Sequence, residues 1–370
     1  YLDGNSLGRL PKATVDRLRR LVDEEWGVGL VRSWEEWIDL PERVGAAIAP
    51  LVGAAADEVV VADSTTVCLH ALVEAACAAA SDAGAVVVSS DDFPTDRYVV
   101  EGVAATRGLV VAGDPANPPP GTAVVVASAV DFRTGAIADL GALADAAHAV
   151  GALLLADLSH AVGAVPVDLD GAGVDLAVGC TYKHLCGGPG APAFLYVRRQ
   201  HQEHLRRPQW GWFAQRQQFE MGATFDRRSG IGGFLAGTPP VLGLVAVEEG
   251  VRIVTEAGIG RIRAKSIALG ELADGLVAER LVPLGCGMGS PPAAFRGAHL
   301  AVTHPGAVAV GAAIRAAGVI PDVRPPDVLR LGLSPLTNSF VEVWDGIDRV
   351  ARVLENGDHR SWTGAPTRVT

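Results

Sequence analysis

The chain has no Cys-x-x-Cys pair; its five cysteines, at positions 68, 77, 180, 186 and 286, form an odd, scattered set. That pattern supports neither a zinc site nor a disulfide framework and reads as reduced thiols of a cytoplasmic protein. Positive charge is also short, with 31 Lys and Arg against 42 Asp and Glu and a formal net charge of −11. Nucleic acid and anionic membrane surfaces reward the opposite sign, so neither is expected as a partner. Any anionic ligand must be held by a local pocket. No apolar run approaches the ~20 residues of a membrane-spanning helix. The best stretch, residues 142–156, carries Asp145 and His148. No secretory signal is visible, and an opening at Tyr1 without Met leaves room for a leader outside the numbering. Neither G-x-G-x-x-G nor G-x-x-x-x-G-K-[ST] occurs, which removes the main support for a dinucleotide or P-loop fold.

What is present is ample core material: 370 residues, 49% hydrophobic and 20% charged, enough for two domains. Residues 59–62, 86–90, 124–128, 153–156 and 176–179 are short β-branched or leucine runs without polar alternation. Such runs belong to strands buried on both faces. Helical patterns lie between them, one opening at Asp139 with Leu140, Leu143, Ala144 and Ala147 at helical spacing. The alternation predicts an α/β fold with a mostly parallel sheet between helices. A second region begins near residue 251, with a long helical pattern over 263–281 and a Gly/Pro-rich loop at 283–292. Strand-like segments at 299–303 and 328–333 then flank a helix near 308–317, and a closing helix starts at Ser339. This predicts a smaller α+β domain over 251–370, a large domain over 31–250, and an N-terminal segment, 1–30, packed with the small domain.

Four features carry possible chemistry. Lys183 follows a buried strand and enters a loop rich in glycine, where a lysine can act as a Schiff-base nucleophile or simply begin a surface loop. Asp157 ends another apolar strand and is followed by His160; an acid there can pair with a pyridinium N–H or cap the next helix. Thr65 and Thr66 open an apolar helix, an arrangement that cradles phosphate or merely caps. Arg330 sits within an apolar run, either to meet a carboxylate through its planar fork or on the polar face of an edge strand. Each feature alone is ambiguous. Together along one α/β chain, in the order Thr65-Thr66, Asp157, Lys183 and Arg330, they describe a pyridoxal 5'-phosphate enzyme acting on an amino acid.

At these residues the sequence resembles the kynureninases, within the class V aminotransferase-like group of fold-type I enzymes. The resemblance runs through residues 1–8 (YLDGNSLG), Phe93-Pro94-Thr95-Asp96, Asp157-Leu158-Ser159-His160, Gly179-Cys180-Thr181-Tyr182-Lys183, Gly211-Trp212-Phe213 and Gly237-Thr238-Pro239-Pro240. It implies a seven-stranded-type large sheet and a bound pyridoxal 5'-phosphate carried on Lys183. Asp157 would pair with the ring nitrogen, Asp96 would lie nearby, and Phe93 would stack on the ring. Thr65, Thr66, Ser128, His160 and Tyr182 would surround the cofactor and its phosphate. Trp212 and Thr238 would arrive from the neighbouring subunit of a homodimer with shared active sites. Arg330 would hold the substrate carboxylate, with Trp34 and Gly237 also at the substrate. The implied reaction is hydrolysis of L-kynurenine, or of a ring-substituted kynurenine, to anthranilate and L-alanine, with Lys183, Tyr182 and Asp157 catalytic.

The sequence departs from the family's usual pattern at His184 and Cys186 (commonly Tyr and Asn), at Ala214 and Gln215 (commonly Gly and His), and at Asp131 (commonly Asn or His). The alternatives are another class V activity (β-lyase, desulfurase or aminotransferase) or a non-catalytic cofactor-binding relative. A desulfurase would need a mobile cysteine, for which Cys286 is the one tempting position.

Overall fold

The computed structural model describes residues 1–364. Its larger sheet has seven strands: β1 (Val59–Ala62), β2 (Ala85–Val88), β3 (Val110–Ala112), β4 (Thr122–Ser128), β5 (Leu153–Asp157), β6 (Leu176–Gly179) and β7 (Ala193–Val197). Their spatial order is β1-β7-β6-β5-β4-β2-β3. The ladders that link β6, β5, β4, β2 and β3 are parallel, and only β7 runs against its neighbours. The sheet is mostly parallel, and β1, β2, β4, β5 and β6 deliver their carboxyl ends to one edge.

The uninterrupted apolar strands are explained by burial on both sides. Alternate residues of one strand enter different cores: Val59, Val61, Val125 and Leu154 in one, Val60, Val124, Val126 and Leu155 in the other. The helices are α1 (Lys12–Arg20), α2 (Trp34–Trp37), α3 (Leu40–Ile48), α4 (Thr65–Ala79), α5 (Pro94–Arg107), α6 (Leu140–Ala149), α7 (Val241–Ala257), α8 (Ile259–Leu276), α9 (Ala307–Ala316) and α10 (Phe340–Asn356). Ser64 caps α4 by accepting from the Val67 amide at 3.4 Å, and Asp139 caps α6 by accepting from Ala142 at 3.0 Å.

A second, antiparallel sheet contains β8 (Gly287–Met288), β9 (His299–Thr303), β10 (Asp322–Arg324) and β11 (Val328–Gly332), ordered β10-β11-β9-β8. Its own core joins Leu269, Leu300, Leu329 and Ile347. The pattern read over 263–281 begins earlier, at Ile259, because Gly258 (φ 79°) breaks the chain direction between α7 and α8. Past Leu276 the backbone widens into a π-type turn over Val277–Leu281. The first residues of the chain run beside the small sheet, with Leu2 bridging Pro321 and Asp3 bridging Gly332. Helix α1 packs instead on α7. Among the described residues, no helix is long and apolar enough to cross a membrane.

Candidate active site

A cavity of about 190 Å³ opens at the carboxyl edge of the large sheet, where ligands of open α/β folds bind. Each converging strand supplies part of its wall. Ser64, Thr65 and Thr66 follow β1; Phe93, Thr95 and Asp96 follow β2; Ser128, Val130 and Phe132 end or follow β4. Asp157, Ser159 and His160 come from β5, Tyr182 and Lys183 from the turn after β6, and Gly190 and Ala191 from the approach to β7. Nine residues singled out from the sequence, spread from Thr65 to Lys183, thus share one cavity.

The turn carrying Lys183 is pinched from two sides. The Gly8 amide donates to the Tyr182 carbonyl at 2.8 Å, and a Cβ on Gly8 would lie 2.2 Å from the Lys183 carbonyl oxygen. From α7, a Cβ on Gly250 would lie 1.7 Å from the Leu185 carbonyl oxygen. Only glycine permits either approach. Lys183 Nζ lies 3.0 Å from His160 Nε2 and 6.0 Å from the ring centroids of Phe93 and Tyr182.

The same cavity holds a buried acid pair. Asp157 Oδ1 accepts from the Ser159 amide at 2.7 Å. Asp96 is buried and in contact with Asp157, yet neither of its oxygens has a donor within the protein. Burial above all, then the charges of Asp157 and Asp92, hold the Asp96 carboxyl well above the usual range. Two touching buried carboxyls cannot both be charged, so one keeps a proton. Asp92, which the sequence reading missed, accepts from the Ser128 hydroxyl at 2.5 Å, the Ser128 amide at 3.1 Å and the Phe93 amide at 2.8 Å. It fixes the wall between β2 and β4.

These residues fit pyridoxal 5'-phosphate. A buried acid pair in which Asp157 has one backbone donor and Asp96 none suits a protonated ring nitrogen. The hydroxyls and free amides at the start of the fifteen-residue α4 suit a phosphate, and Lys183 stands within the same cavity for the aldehyde.

Arg330 is not among the residues lining the cavity but donates to Phe132, which is. The edge-strand alternative is overturned: β11 is flanked by β9 and β10, and Arg330 is almost wholly buried. It donates to the Phe132 carbonyl at 2.5 Å and to Ser6 Oγ at 3.0 Å, and with its amide turned oxygen-inward Asn5 accepts from Nε at 2.8 Å. It also forms an ion pair with Asp322, its cross-strand partner on β10. Burial lowers the guanidinium pKa to about 10, and Asp322 opposes that fall, so Arg330 stays cationic.

Behind His160 sit two further buried imidazoles, His184 and His299; the His160 and His299 ring centroids are 5.4 Å apart. Burial, then nearby cations, hold all three in the neutral form: Lys183 first for His160 and His184, Arg330 first for His299. His184 is lowered to about 3. The unfolded chain therefore binds more protons in acid, and stability falls as pH drops below ~6.5, by up to about 1.4 kcal/mol per imidazole per pH unit. Urea midpoints measured from pH 7.5 to 5.5 should decline, and His184→Phe should flatten that decline. An equally steep decline in the variant would exclude His184 as a contributor.

The other departures also have local explanations. Cys186 adopts φ 54°, a left-handed conformation that Asn enters more readily. Asp131 Oδ1 accepts from the Thr134 amide and hydroxyl, each at 2.6 Å, and so closes the turn before Gly135. Ala214 is buried, and Gln215 accepts from the Asp226 amide at 2.6 Å.

Trp34, Trp212, Gly237 and Thr238 do not join the Lys183 cavity of their own chain. Trp34 and Thr238 line a separate apolar groove with Trp26 and Trp37. Gly237 is exposed beside it, and Trp212 is partly exposed, its Nε1 donating to the Gln218 carbonyl at 2.6 Å.

Residues 1–282 match the family model for aminotransferase class-V, and the chain belongs to that class. Residues 262–350 match the kynureninase C-terminal domain. Curated kynureninases from Burkholderia mallei (strain SAVP1) and Pseudomonas fluorescens are 40% and 39% identical to it, over 96% and 100% of this chain and 89% and 92% of theirs. The chain belongs to the kynureninase family. In fold it is similar to the apo cysteine desulfurase of Thermococcus onnurineus NA1, with TM-score 0.82 and 18% identity over 96% of this chain and 94% of that one. The cysteine desulfurase CsdA of Escherichia coli gives TM-score 0.81 and 19% identity over the same shares.

Proposed function

We propose that this protein uses pyridoxal 5'-phosphate to hydrolyse L-kynurenine, or a ring-substituted kynurenine, to the anthranilate and L-alanine. The observation that carries this reading is near-full-length identity to kynureninases on a chain whose lysine and acid pair share one cavity. When bound, the cofactor supplies an electron sink for negative charge at the substrate's Cα and Cβ. Lys183 holds the cofactor and moves the proton at Cα; His160, kept neutral, accepts a hydrogen bond from its amine. Asp157, backed by Asp96, holds the ring nitrogen. Arg330 holds the α-carboxylate from beside the cavity, where it already donates to the carbonyl of Phe132 on the wall. Water adds to the γ-carbonyl carbon and the Cβ–Cγ bond breaks. The aroyl fragment leaves as anthranilate, and Cβ gains a proton to give alanine. Tyr182 moves protons in these last steps: burial and Cys180 raise its pKa, so its hydroxyl stays protonated and able to donate.

The desulfurase reading lacks its nucleophile. Cys286 is buried in the core of the small sheet, and burial pushes its thiol pKa up to about 11. Incubation with L-kynurenine and 3-hydroxykynurenine should release a fluorescent anthranilate and an equal amount of alanine. Sulfide from cysteine, or a keto acid without alanine, would sink the proposal.

The same reading makes the protein a cytoplasmic homodimer with shared active sites, built from an N-terminal segment (1–30), a large domain (31–250) and a small domain (251–370). Trp26, Val31, Trp212, Phe219 and Met221 are exposed, a set of large apolar side chains that suits a subunit interface better than water. Trp212 and Thr238 lie away from their own chain's cavity, as residues serving a partner's cavity must. Mixing inactive Lys183→Ala chains with inactive Trp212→Ala chains should restore part of the activity, because one hybrid site is intact. No recovery after verified subunit exchange would refute sharing.

A further inference from the structure

The carboxylate anchor is not a lone arginine but a buried cluster already balanced in charge. Asp322, fully buried, pairs with Arg330 and accepts from Arg324 Nε at 2.8 Å, while its other oxygen has no donor. Asp3 reaches the same cluster from the N-terminal segment, next to Gly332 of β11. It too is buried, with a hydrogen bond from Ser6 and one oxygen without any donor. Two cations, Arg324 and Arg330, thus face two acids, Asp3 and Asp322. The Tyr1 phenol, a further ionisable group beside Asp3, donates to the Asp3 carbonyl at 3.1 Å, and its pKa is raised by burial and then by the Asp3 charge.

A substrate carboxylate at Arg330 would be a third anion against two cations in a site nearly closed to water. An excess buried charge is costly, and the usual remedy is a proton. Asp322 is already engaged in direct ion pairs with both arginines. Asp3 is well placed: it touches no cation directly and has an oxygen to spare.

Resting on the proposal that Arg330 holds the substrate's α-carboxylate, we propose that binding there is coupled to protonation of Asp3, which keeps the buried cluster neutral. Asp3 is a positioning residue in this scheme, acting through Arg330. Burial, with Asp322 nearby, already raises its pKa to about 6 before any ligand arrives, so a modest further rise carries it through neutrality.

The test uses holoenzyme and desaminokynurenine, which is kynurenine stripped of its α-amino group. This acid cannot condense with the cofactor, whose own protonation would otherwise confuse the count. Calorimetric titration in buffers of different ionisation enthalpy gives protons taken up per molecule bound. Wild type should take up roughly half a proton or more near pH 7.5, and its affinity should weaken with rising pH by up to about tenfold per unit. Asp3→Asn should abolish both effects while still binding the acid. The corresponding ketone without a carboxylate should bring no proton with it.

Failures are separable. If Arg330→Gln binds the acid as well as wild type does, the anchor is misassigned and the proposal beneath this one falls. If binding needs Arg330 but wild type takes up no proton, the coupling is wrong; this arm requires no variant of Asp3 to fold. If uptake persists in Asp3→Asn, another group, such as the imidazoles behind His160, receives the proton and the assignment to Asp3 is overturned.

Discussion

Lys183→Ala should abolish turnover, lowering kcat by at least about 10⁴-fold, and should remove the visible absorbance of the cofactor–lysine linkage. The size of the effect follows from position. Among the described residues Lys183 is the only lysine on the cavity wall, so no other lysine amine there can hold the cofactor or move the proton at Cα. The fold should survive, because the loop is held by backbone contacts to residues 8 and 250 rather than by the side chain. Anthranilate fluorescence, a visible spectrum and a melting curve on one preparation separate these outcomes. Near-native activity in a folded Lys183→Ala protein would mean that the reacting amine lies elsewhere.

Arg330→Lys should lower kcat/KM for kynurenine by about 30-fold or more, mainly through KM, the equivalent of roughly 2–5 kcal/mol. An ammonium cannot span Phe132, Ser6, Asn5 and Asp322 at once, because it lacks the planar fork. The same loss leaves Asp322 under-partnered in a buried place, so the melting temperature should drop as well. The two consequences are distinguished by a substrate analogue without the carboxylate, which wild type and variant should process equally poorly. A variant that still discriminates for the carboxylate as wild type does would make Arg330 a purely structural tie.

How much of this was legible beforehand depended on whether a signal was local. The five strands read from unbroken apolar runs all exist, because burial on both faces leaves a mark in every residue of the strand. β3, β8 and β10 are two or three residues long and too short to show any period, and β10 ends against two prolines. β7 reads as apolar but follows a glycine-rich loop, and nothing local shows that it inserts antiparallel between β1 and β6. The site residues were legible as strand-end features and as motif matches. Pairings across the chain were not. That Asp96 leans on Asp157, Asp92 on Ser128 and Asp322 on Arg330 depends on the register of separate strands. Asp322, two residues before Arg324 and eight before Arg330, carried only the weak hint of an acid among basic neighbours. His299 carried none, since a histidine in an apolar strand usually satisfies itself.

The two glycines that close on the lysine turn have a further implication for how the molecule fails. One belongs to the leading strap of the chain and the other to a helix some 240 positions later, yet they act as opposite jaws on a single vise. A side chain at either position would have to displace the backbone of the lysine turn, because its Cβ would meet the carbonyl oxygen of Lys183 or Leu185, while neither position belongs to a strand of the large sheet. Catalysis is therefore a more sensitive gauge of wear at this junction than any bulk spectroscopic signal. Side chains grafted at position 8 or 250 would register at the reactive amine without ever touching it.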